Sequence, residues 1–186
     1  MNEKEKEFLL QLARRAIMTY LTSGRKIDVK TSELPSEKVT EDGACFVTLK
    51  KKKDLRGCIG TLEAHRPLVM DVIDNALNSA FSDPRFYPVS KEEMEEIKIS
   101  ISILTKPKTL VANGPKEILE KIIPKKHGVI LKQGLARATF LPVVWEEVPD
   151  IKDFLEHLCM KAGLKKDAWK SPATTFELYE AIEFSE

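Results

Sequence analysis

The sequence has few cysteines, and none of them forms a recognisable metal or disulfide pattern. Cys45, Cys58 and Cys159 are the three cysteines among 186 residues. No two of them form a Cys-x-x-Cys pair, so neither a structural zinc site nor a disulfide framework is expected. Sparse, unpaired thiols are typical of a reducing compartment, and we therefore expect a cytoplasmic protein that needs no metal and no cofactor for folding.

The sequence also lacks an excess of charge of one sign and a long apolar run. Thirty basic and 29 acidic residues give a formal net charge of +1. Proteins that bind nucleic acid usually carry a basic excess, so the net charge does not indicate such a partner, although a local patch would suffice. No apolar run approaches the roughly 20 residues that span a bilayer, and the charged N-terminal segment is unlike a signal peptide. No membrane association is expected.

The remaining sequence alternates between helical and strand periodicity. The predicted helices span residues 4–22, 67–81, about 115–122 and 150–162. The predicted strands span residues 44–50, 54–62, 97–104, two runs around Gln133-Gly134 within 127–142, and one final run over 174–184. Strand pairs mixed with helices, without regular βαβ alternation, predict an α+β fold with antiparallel sheets flanked by helices. The length predicts one domain over residues 1–186, or one domain with two lobes.

The segment LRGCIGTL, residues 55–62, combines a strand pattern with two glycines and an arginine two residues before a cysteine. Side chains alternate across a strand. Two faces are therefore predicted, one with Arg56, Cys58 and Gly60 and the other with Leu55, Gly57 and Ile59. Pairing with the preceding strand is expected to bring Phe46 and Thr48 beside the first face and Val47 and Leu49 onto the second. A guanidinium near a thiol favours the thiolate, which is the nucleophile, and glycines would let a ligand approach the backbone.

The same segment also has a packing interpretation. Free cysteine is among the most buried residue types, and a glycine next to it can serve only to admit a neighbouring helix. Two motif interpretations are rejected. The Gly-x-x-Gly clamp of a KH fold lies between helices, whereas strand is predicted on both sides here, and a P-loop would need a following lysine and hydroxyl.

A second polar segment, Asp83-Pro84-Arg85-Phe86, follows the predicted helix 67–81. Arg85 could bind a phosphate or carboxylate through two hydrogen bonds. Alternatively it pairs with Asp83 or caps the preceding helix. Because the helix must pack back across its own sheet, we expect this loop to lie close to Arg56 and Cys58.

Several motifs, in one order, resemble the AMMECR family from about Phe8 to Phe184. They are LRGCIGTL, DPRFYPVS, ISILTKP, HGVILKQG, ATFLPVVWEE and FLEHLCMKAGL. The family usually has an aromatic residue where this chain has Leu62. The resemblance implies two unequal lobes, with the Arg-Gly-Cys-Ile-Gly segment at or near the cleft between them. It implies that Arg56, Gly57, Cys58, Ile59 and Gly60 correspond to the family's motif. It implies a second segment of Asp83, Arg85 and Phe86.

The resemblance implies no settled activity, because the family's biochemical function is unknown. In some microbial genomes the domain is linked with a Memo-type domain and a radical-SAM enzyme, which suggests a shared pathway that modifies a nucleotide or RNA. Three hypotheses follow. The first is an enzyme or enzyme subunit with Cys58 as nucleophile or thiol acid/base and Arg56 as its activator or anion clamp, acting on a small anionic, nucleotide-like or RNA substrate. The second is a binding module without chemistry, and the third is a structural component of a larger complex. The candidate substrate-binding residues are Gly57, Ile59, Gly60, Asp83, Arg85 and Phe86.

Overall fold

The computed structural model describes residues 1–186 and divides into two compact units. The first unit contains Met1–Leu104 with Ile182–Glu186, and the second contains Thr105–Ala181. The strands form two antiparallel four-stranded sheets, so the predicted α+β fold is confirmed. None of the helices combines the length and the apolarity that a membrane crossing requires.

Four α-helices and eight strands make up the regular structure. The helices are α1 (Glu3–Ser23), α2 (Leu68–Phe81), α3 (Pro115–Lys121) and α4 (Ile151–Lys161). The strands are β1 (Ala44–Lys51), β2 (Asp54–Gly60), β3 (Ile97–Leu104), β4 (Lys108–Thr109), β5 (Gly128–Gln133), β6 (Ala136–Phe140), β7 (Thr175–Tyr179) and β8 (Ala181–Ser185).

The long helix α1 has clear start and stop signals in the sequence. Asn2 and Glu5 form a capping box, in which each side chain binds the backbone amide of the other residue. This satisfies two of the amide groups that a helix N-terminus leaves free. The helix ends at Gly24, whose φ of 68° lies in the left-handed region. Glycine adopts that conformation without the steric cost that a Cβ would add.

The first unit is built on the sheet β2-β1-β3-β8, which has one apolar and one polar face. The alternating isoleucines of β3 are buried and belong to the same apolar core as residues of α1 and α2. On the opposite face, Thr48 lies directly between Cys58 and Ser100, and Lys50 lies directly opposite Lys98. We call this polar face, defined by those five residues, the outer face.

The predicted orientation of Leu55 in β2 was wrong. Leu55 was expected on the apolar face with Ile59, but it pairs with the exposed Lys50 and is itself 39% exposed. The register shifts between Leu49 and Lys50, so that Leu49 pairs with Gly57 and Lys50 with Leu55. A bulge of this kind inserts an extra residue and resets the alternation of faces.

The final run over 174–184 is two strands rather than one. Strand β7 belongs to the sheet β4-β7-β5-β6 of the second unit, and β8 belongs to the first sheet. Glu180 separates the two strands in the chain, and its backbone amide donates a hydrogen bond to the Thr105 hydroxyl. Both strands have the same two-residue period, so periodicity alone could not reveal that the run divides between two sheets.

The second unit has its own core and its own turn signals. Strands β5 and β6 form the predicted hairpin, and Gly134 in its turn has a φ of 58°. The rings of Trp145 and Phe154 stack with their centroids 3.6 Å apart in the core. Asp150 caps α4 by accepting hydrogen bonds from the amides of Lys152 and Asp153.

Candidate functional site

The Arg-Gly-Cys-Ile-Gly segment forms part of β2, and helix α2 approaches its backbone closely. A Cβ placed on Gly57 would lie 2.1 Å from the carbonyl oxygen of Ser79. The Ser79 hydroxyl accepts a hydrogen bond from the Ile59 amide at 2.8 Å and donates one to the Val47 carbonyl at 2.7 Å. Gly57 therefore admits the helix, and Ser79 fastens that helix to both β1 and β2.

The second glycine of the segment accommodates an aromatic ring. Gly60 lies directly opposite Phe46 in the strand pairing. A Cβ on Gly60 would lie 2.2 Å from Cγ of Phe46. The ring therefore occupies the space next to the glycine, and the packing interpretation accounts for both glycines of the motif.

The loop after α2 holds the backbone of Cys58 at two points. The Asp83 carboxylate accepts a hydrogen bond from the Cys58 amide at 2.8 Å. Arg85 donates from Nη2 to the Cys58 carbonyl at 3.2 Å and pairs with Asp83 at 2.7 Å. These contacts confirm the expected proximity of the loop to the Cys58 segment. Arg85 pairs with Asp83, as one of its two interpretations predicts, and it also binds the Cys58 carbonyl.

The charge of Asp83 is stabilised inside the protein. The hydrogen bond from Arg85 is the main cause that lowers the pKa of the Asp83 carboxyl well below its usual range, and the amide of Cys58 adds to it against the cost of burial. Only 1% of the Asp83 side chain is exposed. A buried carboxylate that is hydrogen-bonded in this way acts as a fixed anchor for the chain around Cys58.

The Cys58 thiol has a different environment from those of the other two cysteines. Its Sγ lies 3.1 Å from Oγ1 of Thr48, and its side chain is partly exposed. Cys45 and Cys159 are buried, and burial raises the pKa of both thiols. Cys58 is therefore the least buried of the three cysteines.

Arg56 does not hydrogen-bond to the Cys58 thiol. Its Nε and Nη2 donate to the Glu93 carboxylate at 3.2 and 3.0 Å, and Nη2 also reaches the Pro88 carbonyl at 3.4 Å. The hydrogen bond from Arg56 lowers the pKa of Glu93 to about 2. Nη1 of Arg56 is buried and has no hydrogen-bond partner. The guanidinium thus forms an ion pair with Glu93, and its Nη1 nitrogen remains without a hydrogen-bond acceptor.

The aromatic residue of the second segment contacts both arginines. The ring centroid of Phe86 is 5.9 Å from Cζ of Arg56 and 5.5 Å from Cζ of Arg85, which is within the range of cation–π attraction. The next residue, Tyr87, is 90% exposed. Phe86 therefore links the two segments that the sequence motif had named separately.

Sequence reasoning named Cys58, Arg56, Asp83, Arg85 and Phe86 as candidates but missed Ser79 and Glu93, which contact this region. Ser79 was hidden inside the helical pattern of α2, where a small polar residue on a buried face was the available signal. Glu93 precedes β3 in an acidic run and offered no distinguishing signal. No group of three or more His, Cys, Asp or Glu side chains is arranged to hold a metal ion.

Comparison with known proteins identifies the family. The AMMECR1 family model matches residues 10–184. A protein of Methanopyrus kandleri is 45% identical over 98% of this chain and 89% of its own length. A protein of Methanocaldococcus jannaschii is 40% identical over 98% of this chain and 90% of its own length.

A solved structure is similar over the whole chain. The crystal structure of an uncharacterized protein from Pyrococcus horikoshii aligns with a TM-score of 0.84 and 36% identity, covering 100% of this chain and 93% of the other. The family model and the structural alignment both extend over nearly the whole length of the chain, and the chain belongs to the AMMECR1 family.

Proposed function

We propose that the chain is an enzyme or enzyme subunit in which the Cys58 thiol acts on a small anionic, nucleotide-like or RNA substrate held against β2. One observation carries this proposal. Both backbone polar groups of Cys58 are bound by the Asp83–Arg85 loop, while the residue remains partly exposed. A reactive group on a rigid backbone needs little reorganisation when a substrate binds.

The charge beside Cys58 favours an anionic substrate. Arg85 binds the Cys58 carbonyl, and 53% of its side chain is exposed. Its hydrogen bonds use Nε and Nη2, which leaves Nη1 for a ligand. Arg56, by contrast, is only 15% exposed and is held by Glu93. We therefore give Arg85 the role of anion clamp and Arg56 the role of a supporting ion pair that positions the Phe86 loop.

The cysteine chemistry fits a reducing compartment. All three cysteines are free thiols, and Cys58 can act as a nucleophile only in its reduced form. A cytoplasmic location is accordingly part of the proposal.

The proposal is tested by comparing the alkylation of Cys58 with a negatively charged and a neutral reagent. Iodoacetate and iodoacetamide react with the same thiolate, so their rate ratio reports the local charge. We expect the iodoacetate-to-iodoacetamide ratio at Cys58 in the full chain to exceed the ratio for free cysteine. Mass spectrometry of the digested protein assigns the label to Cys58.

Matched variants separate charge from folding. Arg85→Gln should lower the ratio towards that of free cysteine, and Arg85→Lys, which keeps the charge, should preserve most of it. Lys165→Gln removes an exposed charge in the second unit and should change nothing. A ratio equal to that of free cysteine, or a Cys58 that reacts only after unfolding, contradicts the proposal and supports the packing role.

A binding module without chemistry is the second candidate, and one observation favours it. The only side-chain partner of the Cys58 thiol is the Thr48 hydroxyl, so no carboxylate or imidazole is hydrogen-bonded there to accept its proton. A panel of nucleotides and short RNAs distinguishes the two candidates by thermal shift. Compounds that stabilise the parent chain and Cys58→Ser equally, and are recovered unchanged, support a binding module.

A further inference from the structure

The outer face of the first sheet carries two lysines at directly opposing positions. Lys50 of β1 pairs with Lys98 of β3 in the register. Residues paired in this way have their Cβ atoms about 4.5 to 5.5 Å apart, and like charges there are destabilising. Both side chains are exposed, and neither forms an ion pair.

Two lysines that follow Lys50 in the chain do form ion pairs. The next residue along β1, Lys51, lies 3.4 Å from Glu93 and 3.5 Å from Glu96. Lys52 lies 4.0 Å from Glu96. Glu93 and Glu96 thus pair with Lys51 and Lys52, whereas no carboxylate pairs with Lys50 or Lys98.

Both lysines line a cavity of about 370 Å³ on the same face. That volume lies within the range of about 300 to 1,000 Å³ that is usual for small-molecule sites. The hydroxyls of Ser100 and Ser102 also line it, and neither is hydrogen-bonded within the protein. Ser100 is the direct cross-strand neighbour of Thr48, which binds the Cys58 thiol. The cavity therefore lies on the outer face, and Thr48 lies between its lining residue Ser100 and Cys58.

The acidic groups of the cavity leave a positive balance. Glu183 and Glu186 line it together with Lys50, Lys52 and Lys98. The Glu186 carboxylate is already bound by Arg14 and by the Ile99 amide. Glu183 is exposed and unpaired, so among the side chains that line the cavity two free ammonium groups, Lys50 and Lys98, face one free carboxylate.

We propose that Lys50 and Lys98, together with the Ser100 hydroxyl, bind the phosphate group of a phosphorylated small molecule. A phosphate monoester carries a charge of about −1.5 to −2 at neutral pH and has three acceptor oxygens. Two ammonium groups match that charge, and its binding relieves their mutual repulsion. This inference rests on the proposed function only in placing the substrate on the outer face, and it defines the anionic part of that substrate.

Phosphate titrations followed by two-dimensional NMR of the full chain test the site. Inorganic phosphate and phenyl phosphate, each added at low ionic strength, should shift the amide signals of Lys98, Ser100 and Lys50. Tighter binding of the ester indicates a site for a phosphorylated organic molecule, whereas equal binding indicates a site for phosphate alone. No shift at these amides with either probe would falsify the inference.

Charge variants give effects of opposite sign. Lys50→Gln/Lys98→Gln should weaken phosphate binding at least about tenfold, since it removes two charge-assisted contacts. Glu183→Gln should strengthen binding, and Lys165→Gln/Lys166→Gln, which removes two exposed charges of the second unit, should leave it unchanged. An equal loss in both double variants would mean that phosphate responds only to net charge, and it would overturn the site.

The same titration separates this inference from the thiol chemistry. Cys58→Ser should bind phosphate as the parent chain does, because the lysines and Ser100 are unchanged. Phosphate binding with an unreactive Cys58 would refute the thiol role and retain the phosphate site. A reactive Cys58 without phosphate binding would overturn the phosphate site and retain the thiol role.

Discussion

The carboxylate of Asp83 accepts a hydrogen bond from the backbone amide of Cys58 at 2.8 Å, although 25 residues separate the two in the chain. Arg85 completes this contact, because its Nε and Nη2 donate to the Asp83 carboxylate and Nη2 also donates to the Cys58 carbonyl. The two segments that the sequence named separately, 56–60 and 83–86, are therefore joined by direct contacts. The acidic loop fixes the strand, and the strand presents the thiol.

Replacing Asp83 should destabilise the chain strongly. Asp83→Ala leaves the Cys58 amide without its acceptor and Arg85 without its partner, and we expect a loss of about 3 kcal/mol in the free energy of unfolding. Asp83→Asn keeps one acceptor oxygen and should cost less. Urea unfolding at pH 7 measures both. A loss below about 0.5 kcal/mol for Asp83→Ala would show that the loop does not support the strand.

The ion pair between Arg56 and Glu93 should contribute to stability in a pH-dependent way. The hydrogen bond from Arg56 lowers the pKa of folded Glu93 from 4.5 to about 2. A carboxyl group whose pKa is lowered by folding stabilises the folded state above its unfolded pKa, and this stabilisation disappears as the pH falls through its folded pKa. We expect Glu93→Gln to cost about 1 kcal/mol at pH 7, since the pair is partly exposed, and almost nothing near pH 2.

A neighbouring carboxylate provides the control for Glu93. Glu96 is 48% exposed and reaches only Lys51 and Lys52, at 3.5 and 4.0 Å. Glu96→Gln should change the stability by no more than about 0.5 kcal/mol at either pH. Parallel urea titrations at pH 7 and pH 2 compare the two variants. An effect of Glu93→Gln that persists at the lower pH would contradict the assigned cause.

The sequence predicted the elements well because their signals are local. The isoleucines of β3 alternate in sequence and in burial, and the helical pattern over 150–162 coincides with α4. The position of Leu55 was predicted wrongly because a bulge leaves no periodic signal before the partner strand is known. The final run was predicted as one strand for a similar reason, since membership of a sheet is a long-range property.

The candidate site was predicted in its parts but not in its connections. The Arg56-x-Cys58 spacing suggested a guanidinium next to a thiol, yet the guanidinium binds Glu93, which lies 37 residues further along the chain. The pairing that forms at Cys58 instead involves Thr48, its cross-strand neighbour. Proximity in sequence indicated which residues share a segment, and tertiary packing determined which of them meet.

Adding a single methyl group at Gly57 should be among the most damaging changes in the chain. The new Cβ would lie 2.1 Å from the Ser79 carbonyl oxygen, a backbone atom of α2 that cannot rotate away. We expect Gly57→Ala to cost about 3 kcal/mol or more. Gly134→Ala is the comparison, because nothing lies within 4 Å of its Cβ position and only its φ of 58° opposes the change. It should cost about 1 kcal/mol, and equal losses in thermal unfolding would contradict the packing argument.

Relieving the charge repulsion on the outer face should stabilise the chain when phosphate is absent. Lys98→Gln removes one of two like charges at directly opposing positions, and we expect a gain of about 0.5 kcal/mol. The gain should shrink in 0.5 M NaCl, because salt screens exposed charges. Thermal unfolding in phosphate-free buffer measures this effect. A destabilised Lys98→Gln would indicate that the lysine makes a favourable contact instead.

The hydroxyl of Thr48 should control the reactivity of the Cys58 thiol. Oγ1 lies 3.1 Å from Sγ, and either atom can be the donor. If the hydroxyl donates, it stabilises the thiolate, and Thr48→Val should slow iodoacetamide labelling of Cys58 at pH 7 by about fivefold, the equivalent of one hydrogen bond. Valine has nearly the same shape as threonine, so the strand pairing should survive, and Thr48→Ser should restore the parent rate. Unfolding curves of the two variants check that the sheet is intact. If Thr48→Val labels as fast as the parent chain or faster, then the thiol is the donor, and Thr48 packs against Cys58 without activating it.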